Sequence, residues 1–484
     1  MRILFAASEA APFAKTGGLA DVMEGLPRAL AAKGHEVAVV LPRYRGIGVK
    51  RTPIPSLSVP LGSRMHFPAI HEGNVLHGVN YFFVDASEYF DRGGLYGEHG
   101  GSYGDNPERY TVYARAVIEV AKQLWRPDVF HCHDWQGALV PVLLRGVYGF
   151  DPAFARVPVV FTVHNIAYQG RFSADTLGRL GLPGNLFHTN ALEFWGDISF
   201  LKGGLLFADY LTTVSRKYAE EIQTPEYGYG LDAVMRARSS RLVGILNGAD
   251  YTTWNPETDR WIKAHYSARD LAGKAVCKAD LLSEMRLPDE NNGRMVVGIV
   301  SRFVEQKGFD LIAQVGREIL DEDVAVVALG SGEGRYEAFF RLLAEARPDR
   351  PERVGVRIGF DNVLAHKIKA GADLFLMPSR YEPCGLSHLY AMKYGTIPLV
   401  RATGGLDDTV QPFELDGLAG NGFKFWDASG QALLDTLRWA LTCYKNRPAW
   451  STLMQNAMAQ NFSWDVAAEK YLDVYEKARA VRAG

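Results

Sequence analysis

Short apolar runs recur along the chain, separated by stretches with the 3.6-residue period of amphipathic helices. Residues 3–7 predict a strand and 19–33 a helix, which Gly34 ends before a second strand at 36–41. Further strands are predicted at 81–84, 129–131, 157–163 and 210–214, with a helix at 107–124 covering one sheet face. Runs that are apolar throughout, with helices between them, specify a parallel sheet buried on both faces. The pattern breaks over residues 247–290, where Asn247-Gly248-Ala249-Asp250 and Trp254-Asn255-Pro256-Glu257 lead into a polar helical stretch. It then resumes, with strands at 295–301, 324–329, 355–358, 374–377 and 397–400. The helices predicted in this half are 308–320, 335–346, 365–370, 387–394 and 464–480.

The alternation predicts an α/β chain of two doubly wound, Rossmann-like domains, 1–246 and 247–462. Residues 463–484 supply a terminal helix expected to pack back on the first domain. A length of 484 residues exceeds what one ordinary core organises. Ligands of open α/β sheets bind beyond the carboxyl ends of the strands, so a cleft between the two domains is the expected site.

Composition narrows the partners. Hydrophobic residues make up 47% and charged residues 22%, as in folded globular proteins. Fifty-three basic side chains against 55 acidic ones leave a net charge of −2. That balance gives no broad drive toward nucleic acid or an anionic membrane, so anion binding has to rest on a few placed cations. No run of 18 apolar residues is present, and the opening residues read as a strand rather than a signal peptide. Cys132, Cys277, Cys384 and Cys443 are far apart with no CxxC pair, which fits a reducing cytoplasm.

Five segments at predicted strand ends carry candidate chemistry. Lys15-Thr16-Gly17-Gly18-Leu19-Ala20-Asp21 opens the first helix, where free N–H groups, a glycine pair and a lysine suit a phosphate. Its spacing matches neither the dinucleotide nor the P-loop fingerprint. Ser301-Arg302-Phe303-Val304-Glu305-Gln306-Lys307-Gly308 sets two cations after the first strand of the second half, fit to neutralise a diphosphate. In Pro378-Ser379-Arg380-Tyr381-Glu382-Pro383-Cys384-Gly385-Leu386, Glu382 can accept from sugar hydroxyls, and Gly385 and Leu386 offer helix-terminal amides. Cys384 reads as a packing residue rather than a reactive thiol. Arg401-Ala402-Thr403-Gly404-Gly405-Leu406 echoes the first motif, and the following Asp407-Asp408 pair is a poor metal site because adjacent helical acids diverge. His131-Cys132-His133-Asp134-Trp135 and Thr162-Val163-His164-Asn165 place Asp134 and His164 toward a ligand. The His-Cys-His run alternates faces and cannot easily converge on a metal.

Together these segments resemble the bacterial glycogen synthase and plant starch synthase family. The resemblance runs almost from end to end, and includes Tyr96-Gly97, Asp105-Asn106, Asn247-Gly248 and Trp254-Asn255-Pro256. It implies a GT-B architecture and retaining transfer of glucose from ADP-glucose to the 4-hydroxyl of an α-1,4-glucan. It implies no metal and no cofactor. Lys15, Arg302 and Lys307 then meet the donor phosphates and Glu382 the donor glucose. Asp134 and His164 stand near the reacting centre and Asn247 beside the glucosyl unit. Thr16, Gly17, Gly18, Asp21, Tyr96, Asn165, Ser301, Cys384, Gly385, Leu386, Thr403 and Gly404 complete the expected binding set, with Phe360 placed to flank the base. Two positions depart from the family pattern: Ser387-His388 where Thr-Gln is common, and Ala402 where a second basic residue is common. Alternatives consistent with the same motifs are a UDP-glucose-using retaining transferase and a catalytically inactive glucan-binding homologue. A homo-oligomer is left open.

Overall fold

The computed structural model describes residues 1–98, 100–345 and 353–483. The chain divides into two units, 1–248 with 464–484 and 249–463. The first unit is organised on strand Arg2–Ala6, whose Ile3, Leu4 and Phe5 are fully buried. This strand pairs in parallel with Glu36–Pro42 on one side and Val129–His133 on the other. Val79–Asp85 extends the sheet past the former, and Val159–Val163, Tyr210–Thr213 and Leu242–Gly244 extend it past the latter, all in parallel. Two antiparallel strands, Ala69–Glu72 and Arg51–Ile54, complete a sheet of nine among the described residues. The apolar pattern predicts neither of these nor Leu242–Gly244, since three or four residues carry too few alternations to register.

The second unit repeats the plan. Its six described strands run Val354–Ile358, Val324–Gly330, Met295–Val300, Leu374–Met377, Ile397–Arg401 and Phe423–Phe425 across the sheet, all parallel. Predicted ends move by a few residues where a cap intervenes. Helix Asn362–Gly371 starts earlier than its apolar period because the Asp361 carboxylate accepts the Leu364 N–H at 2.9 Å. Helix Gly334–Glu345 matches the expectation at 335–346, of which Ala346 lies outside the described residues, as does Gly484 of the terminal segment.

In each sheet the chain's direction of travel reverses at one strand, Arg2–Ala6 in the first and Met295–Val300 in the second. The loops leaving those two strands carry the 15–21 and 301–308 motifs. A reversal of strand order opens a crevice at the carboxyl edge, so each motif sits where its own sheet makes room for a ligand.

The break at 247–290 has a packing role. Trp254 stacks on both His366 and Tyr390, at ring separations of 3.7 and 4.8 Å. Asp259 accepts from the Tyr394 hydroxyl at 2.6 Å and bonds the His366 ring at 2.7 Å. The Trp-Asn-Pro motif therefore fastens this segment to the helices of the second sheet.

The last helix, Trp464–Ala483, packs on the first unit. Its Tyr475 hydroxyl meets His131 Nδ1 at 2.7 Å, and Arg482 pairs with the buried Asp209. The Trp464 ring fills a cradle formed by Gly25 and Gly248: a Cβ on Gly25 would stand 2.0 Å from its Nε1, and one on Gly248 within 2.6 Å of its ring. This gives Asn247-Gly248 a steric reason. Gly25→Ala should destabilise the protein by about 1–3 kcal/mol through overpacking, although alanine is the better helix former. Urea unfolding should show the penalty reduced when Trp464→Ala is added. A stabilised single variant would show that the cradle does not constrain Gly25.

Candidate active site

Glu9 controls the first motif. This buried carboxylate accepts the N–H groups of Thr16 and Gly17 at 2.5 and 3.1 Å, and the hydroxyls of Thr16 and Tyr96 at 2.7 and 2.5 Å. It folds the loop back so that helix Gly18–Ala32 begins at the sheet edge. Lys15 stays exposed and pairs with Asp21 at 2.5 Å. A Cβ on Gly17 or Gly18 would meet no protein atom within 4 Å, so packing does not demand glycine there. Tyr96 is held in turn: the Asn106 side chain donates to its carbonyl at 3.0 Å, and the buried Arg109 donates to Asn106 at 2.6 Å. That explains why Asp105-Asn106 accompanies Tyr96-Gly97. Sequence reasoning missed Glu9; the available signal was an acid three residues past an apolar strand, where burial needs donors.

Asp134 and His164 come together at neighbouring strand ends. The Asp134 carboxylate accepts the His164 N–H at 2.7 Å. Asp134 itself adopts φ +50°, a strained backbone for a residue with a side chain. Burial raises its carboxyl to about 7, against the pull of the His164 and Asn165 amides. Burial also lowers His164 to about 3, so its imidazole is neutral. His133 Nδ1 meets His164 Nε2 at 2.9 Å, making it a supporting residue. The His131 and His133 rings lie 4.1 Å apart, tilted by 37°, on one sheet face, and the pleat sends Cys132 to the other. Asn165 accepts the Ala167 N–H at 3.0 Å and shapes the following turn. Asn247 is buried, with its side-chain carbonyl lacking a hydrogen-bond partner among the described residues.

In the second unit two loops are locked together. Gly308 has φ +76°, and a Cβ there would stand 2.0 Å from the Pro378 carbonyl, so this close approach requires glycine. The Arg380 N–H donates to the Gln306 carbonyl at 2.9 Å, and Lys307 pairs with Glu382 at 2.6 Å. Ser379 also donates to Glu382, at 3.1 Å. Buried Arg401 clamps the loop from below by donating to the Ser379 and Arg380 carbonyls. Lys307 and Glu382, expected to touch different parts of a ligand, thus form a single paired unit. The Arg302 side chain is exposed, with no protein partner among the described residues. Ser301 lies between it and the strand, and Phe360 is almost wholly exposed.

The resemblance of residues 403–406 to 16–19 is one of sequence only. A Cβ on Gly404 would stand 1.9 Å from the Glu382 carbonyl, and one on Gly405 2.0 Å from that of Cys384. These glycines serve protein packing, whereas Gly17 and Gly18 do not. Thr403 precedes helix Gly404–Thr409, and Gly385 and Leu386 precede helix Ser387–Lys393. Cys384 is buried. The departure at His388 is accommodated inside the core: its Nε2 meets the Thr409 hydroxyl at 2.6 Å, and burial lowers its ring to about 3. Thr409 gives its proton to the Gly405 carbonyl, so His388 must be the donor in that bond. Asp407 pairs with Lys424 at 2.8 Å. Among the described residues no three His, Cys, Asp or Glu side chains gather as a metal site.

Comparison with known proteins bears on these loops. Residues 2–237 match the starch synthase catalytic domain, and 284–456 match glycosyl transferases group 1. A glycogen synthase of Koribacter versatilis (strain Ellin345) is 54% identical over 100% of this chain and 99% of its own. A glycogen synthase of Anaeromyxobacter sp. (strain Fw109-5) is 48% identical over 99% of this chain and 100% of its own. Among solved structures, the catalytic domain of starch synthase IV from Arabidopsis thaliana, bound to ADP and acarbose, superposes with a TM-score of 0.88. Its identity is 34%, and 99% of each chain is covered. A sucrose-phosphate synthase from Thermosynechococcus elongatus shares the fold, at 16% identity and a TM-score of 0.61 over 99% of each chain.

Two measurements check the geometry. Asp134 holds its proton more tightly folded, near pH 7, than unfolded, near 3.8. It therefore contributes stability that is present below pH 3.8 and lost as the pH rises through 7. Asp134→Asn mimics the neutral acid, so its stability relative to the native chain should climb between pH 4 and 7 and level off above. Unfolding curves across that range should show the climb, and a flat difference would contradict the raised carboxyl. In Glu9→Gln, the amide oxygen still accepts from the Thr16 and Gly17 N–H groups but without the charge, and the NH2 meets the Thr16 and Tyr96 hydroxyls, which must turn to accept. We expect a loss of about 2 kcal/mol and faster hydrogen exchange at the Thr16 and Gly17 amides.

Proposed function

The chain belongs to the glycogen synthase family of GT-B glycosyltransferases, and from that premise we propose that it elongates α-1,4-glucans with glucose from ADP-glucose. The single observation that carries the assignment is the pair of cations Arg302 and Lys307 beyond the reversal strand of the second sheet, with Glu382 joined to Lys307 from the loop after the neighbouring strand Leu374–Met377. The bond from glucose C1 to the β-phosphate oxygen breaks, and a bond from C1 to the acceptor 4-oxygen forms. The proton of that hydroxyl leaves on the phosphate of ADP. The new bond forms on the face the phosphate vacates, so α configuration is retained.

Negative charge grows on the departing diphosphate, so cations fixed beforehand stabilise the transition state more than the ground state. Arg302, unpaired, is available as a bidentate fork. Lys307 is a point charge whose direction Glu382 sets at 2.6 Å. Lys307 and Ser379 both bond Glu382 Oε2, and Oε1 is assigned to the hydroxyls of the donor glucose. Lys15 and the amides at the start of helix Gly18–Ala32 are assigned to a ligand phosphate at the edge of the first sheet, and the open space beside Gly17 and Gly18 suits close approach of a ligand to the backbone. Asn247, with its unmet buried carbonyl, is assigned to a glucosyl hydroxyl. Asp134 and neutral His164 are assigned to the reacting sugar. Phe360 is assigned to the adenine face, and Cys384 to packing.

The proposal gives these side chains the work that other transferases leave to a metal, and assigns no cofactor. It places the enzyme in the cytoplasm: no helix among the described residues is long and apolar enough to cross a membrane, and the four cysteines are buried apart. Lys307→Ala should lower turnover by roughly 10²–10³, the cost of one lost contact to developing charge. Initial rates with glycogen should favour ADP-glucose over UDP-glucose and survive EDTA. Equal rates with the two donors would overturn the donor assignment, and loss in EDTA would overturn the metal-free site.

A further inference from the structure

Two aromatic residues of the first unit stand on the surface on backbones that disfavour them. Trp195 is 76% exposed at φ +54°, followed by Gly196 at φ +82°. Tyr229 is 45% exposed at φ +49°, followed by Gly230 at φ +80°. A bulky side chain in the left-handed region is a genuine outlier, and such strain clusters at ligand-binding sites. The first pair forms the turn between strands Glu193–Phe194 and Asp197–Ser199, where Asn-Gly would be the relaxed choice.

The two pairs are neighbours. A Cβ on Gly230 would stand 3.5 Å from Trp195 Nε1 and 3.2 Å from the Phe194 ring. Gln169 ties both to the strand end that carries His164. Its side chain donates to the Tyr229 carbonyl at 2.9 Å, and its own carbonyl accepts from Leu201 N–H at 3.1 Å, just past the Trp195 hairpin. The preceding residue, Tyr168, is also exposed, and its N–H closes the turn on the Asn165 carbonyl at 3.2 Å. An exposed aromatic surface is therefore continuous through its backbone with the loop assigned to the reacting sugar.

We propose that Trp195 and Tyr229 form a stacking platform that holds the acceptor glucan at sugar units beyond the one that reacts, which rests on the glucan-elongating function above. An α-1,4-glucan presents apolar C–H faces edged by hydroxyls, and rigid amphipathic aromatic rings match such faces with little side-chain entropy lost. The donor carries a single sugar, so only the acceptor extends far enough to need further stations. Polar groups border the hairpin, including the Arg171–Asp197 pair at 2.8 Å, and suit the hydroxyl edges.

The experiment compares full-length native enzyme with Trp195→Asn, Tyr229→Asn and the double variant. Asparagine tolerates positive φ, so the fold is spared or stabilised. Calorimetric titration with maltoheptaose, without donor, should show affinity falling roughly tenfold for one lost aromatic contact. In initial-rate assays the KM for maltoheptaose should rise by a similar factor relative to that for maltotriose, and kcat should hold. Unchanged maltoheptaose affinity in the double variant would overturn the platform even if glucose transfer proceeds. Maltoheptaose binding that depends on Trp195, in an enzyme that fails to use ADP-glucose, would uphold the platform and overturn the function.

Discussion

Parallel pairing on both sides of one buried strand is the constraint from which each unit follows. A parallel sheet requires a crossover after every strand, so loops of unrelated sequence collect along one edge. Where the crossovers change direction, at Arg2–Ala6 and at Met295–Val300, neighbouring loops part and leave room. The chain places its cations and its glycine-rich helix start at those two points. Everything else in the site braces the loops that leave them.

The bracing uses a few buried charges. Glu9 gathers four donors around the first loop, and Lys307 with Glu382 joins two loops of the second unit. Isolated ions would be too costly at this depth, and a paired or fully hydrogen-bonded ion fixes geometry instead. The Arg302 side chain, which has no such partner among the described residues, can answer a ligand without first leaving a protein carboxylate.

Much of this was legible in the residues. Long apolar strands such as Glu36–Pro42 and Val324–Gly330 announced themselves by burial on both faces, and the motifs marked their own strand ends. The hairpin bearing Trp195 and the antiparallel edge strands were hidden, because two to four residues show no period. Glu9 was hidden for another reason: two of its four donors are backbone N–H groups, which every residue carries and no pattern marks, and a third is the distant Tyr96 hydroxyl. The likeness of residues 403–406 to 16–19 misled in the opposite sense, since identical letters meet a carbonyl in one place and open space in the other. His388 illustrates a substitution whose effect only the core could reveal, through the proton that Thr409 has already given away.

The cradle for Trp464 also bears on how the molecule is made. The first unit is discontinuous: its final helix is encoded after the whole of the second. During synthesis, residues 1–248 emerge with Gly25 and Gly248 facing an absent ring, and His131 without the Tyr475 hydroxyl. His131 lies on strand Val129–His133, which leads directly into Asp134, so the strand bearing part of the site is completed by residues encoded after the whole of the second unit. A chain that stops short of Trp464 keeps every motif and loses the helix that completes the first unit.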